Sequence, residues 1–169
     1  MGKEEFLDYV DDNDNVIDSM SKKEIYEKLL THRIAHVLVF NREGKMCLQL
    51  RGNVKSFAFH WCTTAGGHVQ AGESYEEGAK REMTEEVGID AQLTQKFKDT
   101  YVYTFGQYKG IKKFLVTFIA TYDGPFNINK NDVKKVKFFT LEEIQKMVDR
   151  GEKIHPELLF LLKKYYGII

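Results

Sequence analysis

A chain of 169 residues can bury a substantial core as one domain and is short for two, so a single domain over 1–169 is expected. Lys plus Arg and Asp plus Glu stand at 25 each, which gives no sign of a nucleic-acid polymer or an anionic membrane as partner. With 43% hydrophobic and 13% aromatic residues the chain is not disordered; no stretch approaches the roughly 18 apolar residues of a membrane helix, and the acidic start (Glu4, Glu5, Asp8) lacks a signal-peptide pattern. Met1-Gly2 fails the myristoylation pattern because Phe6 stands where Ser or Thr is needed. Cys47 and Cys62 form no CxxC pair, and no structural disulfide is expected. The expectation is a folded cytoplasmic protein, monomer or homodimer.

In chain order, Phe6–Val10 and Val16–Ser19 flank the turn-forming run Asp11 to Asn15 and predict an N-terminal β-hairpin. Ser21 and Glu24 make a capping box for a helix through about Leu30. Ile34–Phe40 reads as a central strand, Asn41–Lys45 as a turn, and Met46–Leu50 as its return. Arg51–Gly72 reads as loop with a brief extended stretch. A helix near Tyr75–Val87 follows, then strands at Lys98–Phe105 and Phe114–Tyr122 joined by a turn region. Another strand is expected at Val133–Phe139, then a helix capped by Thr140 and Glu143 and ended by Gly151. Pro156 opens a last helix with an apolar face of Leu158, Leu159, Leu161, Leu162 and Tyr165.

The Tyr75–Val87 helix carries the chemistry. Ser74 with Glu77 forms a capping box, Glu76 and Glu77 suit the positive end of the dipole, and Gly88 stands where a C-terminal cap belongs. A helix turns about 100° per residue, so Glu82, Glu85 and Glu86 share one face. That placement is electrostatically poor, because Glu82 and Glu86 repel and Glu85 and Glu86 meet the negative helix end. A local rule broken repeatedly at one spot marks a functional site. Hard cations with oxygen ligands offer the compensation: Mg²⁺ is held by one or two carboxylates, waters and substrate phosphates.

The run Gly67-(five residues)-Glu73-(seven residues)-Arg81-Glu82 through Glu85-Glu86-Val87-Gly88-Ile89 resembles a complete Nudix box, the signature of hydrolases acting on nucleoside diphosphates linked to another group. The resemblance implies an α+β fold, an α/β/α sandwich with a mixed β-sheet between helices. It also implies Mg²⁺, or Mn²⁺, as cofactor and a small-molecule diphosphate as substrate: a nucleoside di- or triphosphate, a nucleotide sugar or a dinucleotide. Carried over residue by residue, Glu82 and Glu86 are the principal metal ligands, Glu85 a further ligand or water-orienting group, and Arg81 the residue that positions them. Glu73 lies at the edge of the site, and a carbonyl near Gly66 or Gly67 completes the metal shell. The general base is Glu85 or Glu82, or, since the family often draws it from a loop after the box, Asp132. Without that role Asp132 is a turn residue before a strand.

Outside the box, the segments His32–Asn41, Gln49–Arg51, Trp61 and Gly66-Gly67-His68 resemble a subgroup related to isopentenyl-diphosphate isomerase. Isomerisation is therefore the rival activity, and a catalytically silent binding protein a third reading. Against the isomerase, its cysteine position is here Gly66, Cys62 stands four residues away, and Gly110–Leu115 has no carboxylate where an acidic pair is expected. His32 and His68 match metal-binding positions of the isomerase relatives. The alternative is that His32 ends a helix and His68 lies beside the phosphate loop, with His36 a hydrogen-bonded core residue. Arg51 is the best candidate for a phosphate contact, with Lys55, Lys112 and Lys113 behind it. Tyr101, Tyr103, Phe105 and Tyr108 either stack on a base or pack as one strand face.

Overall fold

The structure, a computed structural model, describes residues 3–169, so Met1 and Gly2 and the N-terminal pattern they begin lie outside the described residues. Strands β1 (Phe6–Val10) and β2 (Val16–Ser21) form the expected hairpin, and the Asp11 carboxylate accepts from the backbone N–H groups of Asn13 and Asn15 at 2.8 and 2.9 Å. Helix α1 (Lys22–Glu27) is shorter than expected: Leu29, at φ 51°, turns the chain in the left-handed region. His32 therefore opens a strand and does not end a helix.

That strand, β3 (His32–Phe40), runs parallel to β8 (Lys112–Thr121) along its whole length. Its other edge changes partner. Ile34–Val37 pairs with β6 (Ala65–His68), whereas Val39 and Phe40 pair with β4 (Met46–Arg51). Where a strand switches neighbour its backbone groups lose the ladder, and Thr64 fills the gap: its hydroxyl accepts from Val39 N at 2.9 Å and donates to Cys47 O at 2.6 Å. Strand β4 also pairs with β5 (Trp61–Cys62) and β9 (Val133–Phe139), and β7 (Thr94–Val102) covers the far edge of β8. The segment read as loop with a brief extended stretch thus contains two short strands, and β7 begins four residues before the expected start.

Alternation along β3 sorts the core onto two sides of the mixed sheet. Ala35, Val37 and Val39 join Val116 and Phe118 beneath Ala79, Met83 and Val87 of α2 (Tyr75–Val87). Leu38 joins Leu48 beneath Ile144 and Met147 of α3 (Leu141–Asp149) and Leu158 and Leu162 of α4 (Pro156–Tyr165). This is the expected α/β/α arrangement, an α+β fold. Among the described residues no helix is long and apolar enough to cross a membrane.

Candidate active site

Helix α2 has the bounds its local signals predict. Ser74 Oγ accepts from Glu77 N at 3.1 Å, Glu77 Oε2 accepts from Ser74 N at 2.8 Å, and Gly88 caps the other end at φ 64°. Its buried stripe of Gly78, Ala79, Met83 and Val87 fixes the rotation, and this turns Glu82 and Glu86 toward the forked edge of β3. There Glu82, Glu85, Glu86, Gly66, Gly67, Arg51 and Asp132 line one cavity of about 820 Å³, large enough for a drug-sized ligand.

Arg81 organises the carboxylates without reaching the cavity. Its guanidinium donates to both oxygens of Glu73 (2.6 and 3.1 Å), to His68 O at 3.0 Å, to Glu82 at 2.9 Å and to Glu85 at 3.4 Å. The planar fork of arginine suits this multiple bridging. Glu73, which also accepts from Gln70 N, anchors Arg81 and does not line the cavity.

Glu86 accepts from Gly66 N at 2.9 Å and from the Gln49 amide at 3.1 Å. Burial pushes its carboxyl above the usual range against these donors, and nearby Asp132 adds to the shift. Glu82, with its side chain 14% exposed, is pushed up to about 8, first by burial and then by the charge of Glu86, while Arg81 opposes. Glu85 differs: its side chain is 58% exposed and meets only the long Arg81 contact. Among the described residues no three His, Cys, Asp or Glu side chains form a ready cage for a metal. A hard cation does not require one, because two carboxylates, a backbone carbonyl, waters and phosphate oxygens suffice. The half-buried, like-charged pair Glu82 and Glu86 fits such an ion, and Gly67 leaves the room: a Cβ there would lie 2.7 Å from Glu82 Cδ.

Asp132 is both a turn residue and a cavity residue. Its carbonyl accepts from Gly52 N at 2.8 Å, and its carboxylate accepts from Asn129 at 3.1 Å. Arg51, at the end of β4, donates from Nε to Ser56 O at 3.2 Å and borders the same space. Gly66 bears on the rival chemistry, since any Cβ there would lie 2.8 Å from Ala35 O and 2.9 Å from His36 Nδ1. A cysteine there would have to displace a backbone carbonyl and the His36 ring. The Cys62 thiol is buried and pushed up to about 12, first by burial and then by Glu86, so it stays protonated at neutral pH.

The far end of the cavity holds a cluster the sequence did not reveal. Lys113 and Glu157, 4% and 3% exposed, meet at 3.4 Å across the α4 side of the sheet. Glu157 also accepts from His36 Nε2 at 3.0 Å and Tyr103 Oη at 2.8 Å. Burial alone would raise this carboxyl; Lys113 and His36 outweigh it and hold it well below the carboxylate range. His36 is indeed a hydrogen-bonded core residue. His32 and His68 stack with centroids 5.4 Å apart, and burial followed by the Lys113 charge lowers both, His32 to about 4. Nδ1 of His32 donates to Leu30 O, and Nε2 of His68 meets Tyr26 Oη at 2.6 Å. Nε2 of His32 is buried with no hydrogen-bond partner among the described residues. Of the aromatic residues, Tyr103, Phe105 and Tyr108 border the cavity, whereas Tyr101 packs on Phe160.

The family model described as NUDIX domain matches residues 30–162, most of the chain. An uncharacterised Nudix hydrolase of Pseudomonas aeruginosa is 32% identical over 82% of this chain and 80% of its own. An isopentenyl-diphosphate Delta-isomerase of Photorhabdus laumondii is 28% identical over 90% of this chain and 86% of its own. A crystal structure from Deinococcus radiodurans superimposes with a TM-score of 0.79 at 23% identity, covering 96% of this chain and 99% of that one.

Proposed function

Because the chain belongs to the Nudix family and is a Nudix-type hydrolase, we propose that it cleaves the diphosphate bond of a nucleoside di- or triphosphate, a nucleotide sugar or a dinucleotide, with Mg²⁺ or Mn²⁺ as cofactor. The observation that carries this reading is the half-buried Glu82 and Glu86 pair, whose carboxyls face a cavity and stay raised despite the one arm of Arg81 that reaches Glu82. Glu82, Glu86, Glu85 and the carbonyl of Gly66 or Gly67 would hold the ion. When bound, it supplies Lewis-acid stabilisation of the phosphoryl oxygens and lowers the pKa of bound water.

The chain's own groups do the rest. Arg81, anchored by Glu73, keeps the carboxylates in place, and Gly66 N and Gln49 hold Glu86 in the rotamer that faces the cavity. Arg51 offers its remaining donors to a phosphate oxygen. The general base is assigned to Glu85, whose carboxylate borders the cavity and stays accessible to the attacking water; Asp132, already accepting from Asn129, ranks behind it. Partner and place follow the same reading: a small-molecule diphosphate and no nucleic-acid polymer, handled in the cytoplasm by a monomer or homodimer.

The test is a panel of nucleoside phosphates, nucleotide sugars, dinucleotides and isopentenyl diphosphate with Mg²⁺ or Mn²⁺, comparing wild type with Glu86→Gln. Metal-dependent cleavage of at least one compound is expected, falling by a factor of about 10² or more in the variant. Double-bond migration without cleavage would overturn the reading.

A further inference from the structure

Strands β1 and β2 and helix α1 precede the stretch that the family model matches, which begins at residue 30. They are nevertheless fastened to the loop between β6 and α2. Phe6 O accepts from Ala71 N at 2.8 Å, Leu7 bridges to Gln70, and the Asp8 carboxylate accepts from Gly72 N at 3.0 Å. Where the loop ends, Tyr75, the first residue of α2, donates from Oη to Asp14 at 2.8 Å.

Asp14 is the joint of this fastening. It takes a left-handed backbone (φ 62°), which aspartate tolerates, and its side chain is only 6% exposed. Besides Tyr75, its carboxylate accepts from Arg33 Nε at 2.7 Å and Lys98 Nζ at 2.6 Å, and its carbonyl accepts from the Arg33 guanidinium at 2.7 Å. The same two cations stand 5.2 and 5.5 Å from the centroid of the Tyr75 ring. The hairpin turn, β3, β7 and the start of α2 thus meet at one carboxylate.

The loop held in this way joins Gly66 and Gly67 on β6 to the carboxylates on α2. Glu73 lies within it, between Gly72 and the capping Ser74, and accepts from Gln70 N at 2.8 Å. From Glu73 the hold passes to Arg81, and from Arg81 to Glu82 and Glu85. Asp8, Asp14 and Tyr75 do not line the cavity, so whatever they do for the site is transmitted through these contacts.

We propose that the N-terminal hairpin is a positioning element for the Arg81 and carboxylate cluster: Asp8 and Asp14 fix the loop, the loop fixes Glu73, and Glu73 fixes Arg81. The proposal rests on the reading of Glu82 and Glu86 as metal ligands. Asp8, Asp14 and Tyr75 are positioning residues and touch neither ion nor substrate.

The experiment titrates Mn²⁺, followed by its electron spin resonance, into wild type, Asp8→Ala, Tyr75→Phe and the double variant, with no nucleotide present. Tyr75→Phe keeps the ring and removes only the hydroxyl. The double variant should bind Mn²⁺ about fivefold more weakly, the worth of one hydrogen bond passed on to the site. Asp8→Asn keeps an acceptor for Gly72 N and should bind as wild type does. Asp12→Ala, which cuts the 3.0 Å contact of the same hairpin to Lys112 on β8, should also leave the affinity unaltered. A folded double variant within about twofold of wild type overturns the proposal, and so does an Asp12→Ala loss equal to that of Asp8→Ala, because the hairpin then serves general stability alone. A second readout needs no metal. In EDTA, the Arg81 Nε–H proton, bonded to Glu73 at 2.6 Å, should exchange with water about fivefold faster in the double variant by NMR. Wild type that binds no Mn²⁺ sinks the metal reading, and this proton then decides by itself: faster exchange supports the hold on Arg81, and unaltered exchange removes it.

Discussion

The two ends of the cavity bury carboxylates to opposite effect. Glu82 and Glu86, four residues apart on α2, share one arm of Arg81, one backbone N–H and one amide, and burial together with mutual repulsion drives them toward protonation. Glu157 is the more deeply buried, but Lys113, His36, Tyr103 and a helix N-terminus surround it, and it stays ionised. The lesson is that burial alone does not mark a metal site. A carboxylate whose donors outnumber its charge belongs to the architecture, and a pair whose charge exceeds its donors calls for a cation from outside.

The largest way to break this comparison is Glu157→Ala, which leaves the Lys113 ammonium buried with no anion. Urea unfolding at pH 7 should show a loss of about 3–5 kcal/mol. A loss below about 1 kcal/mol would mean that Glu157 is no better compensated than Glu82. Gly66→Ala comes next. Its methyl meets a backbone carbonyl that cannot yield easily, so about 1–3 kcal/mol of stability should go, and the N–H donated to Glu86 should shift with it. Unaltered stability and activity would show that the fork between β6 and β3 has room for a side chain after all.

A smaller effect sharpens the contrast through pH. The Glu82 carboxyl is raised in the fold, so its contribution to stability is present below the unfolded value near 4.5 and is lost as pH rises through about 8. In EDTA, Glu82→Gln should therefore be more stable than wild type near pH 9, by about 1 kcal/mol or more, and Mg²⁺ should stabilise wild type and not the variant. For Glu157 the sign is opposite: its lowered carboxyl stabilises above pH 4.5, and that contribution is lost as pH falls through the folded value. Parallel pH profiles for Glu82→Gln and Glu157→Gln would erase the distinction.

What the sequence made legible was local. Helix α2 and its caps lie where Ser74, Glu77 and Gly88 place them, because a capping box and a left-handed glycine are decided within one turn. Strands β1 and β9 also have the expected bounds. The two strands between Arg51 and Gly72 escaped because β5 is two residues long and β6 is half glycine; their pairing depends on the fork in β3, which no local pattern encodes. The Tyr101, Tyr103 and Phe105 alternation suggested a strand continuing to residue 105, yet β7 ends at Val102 and draws its first half from polar Thr94, Gln95 and Lys96 at a sheet edge. The same limit hid the second cluster. Lys113 reads as a solvated lysine and Glu157 as a first-turn acid until tertiary packing brings them together across 44 residues of sequence.

The central claim is that Glu82 and Glu86 gather a divalent cation against a diphosphate, and anomalous scattering from crystals grown with Mn²⁺ and a non-hydrolysable nucleoside diphosphate tests it most directly. The account predicts a manganese peak bound by both carboxylates and a carbonyl of Gly66 or Gly67, bridged to phosphate oxygens. A peak held elsewhere, with these two side chains bearing no metal, would contradict it.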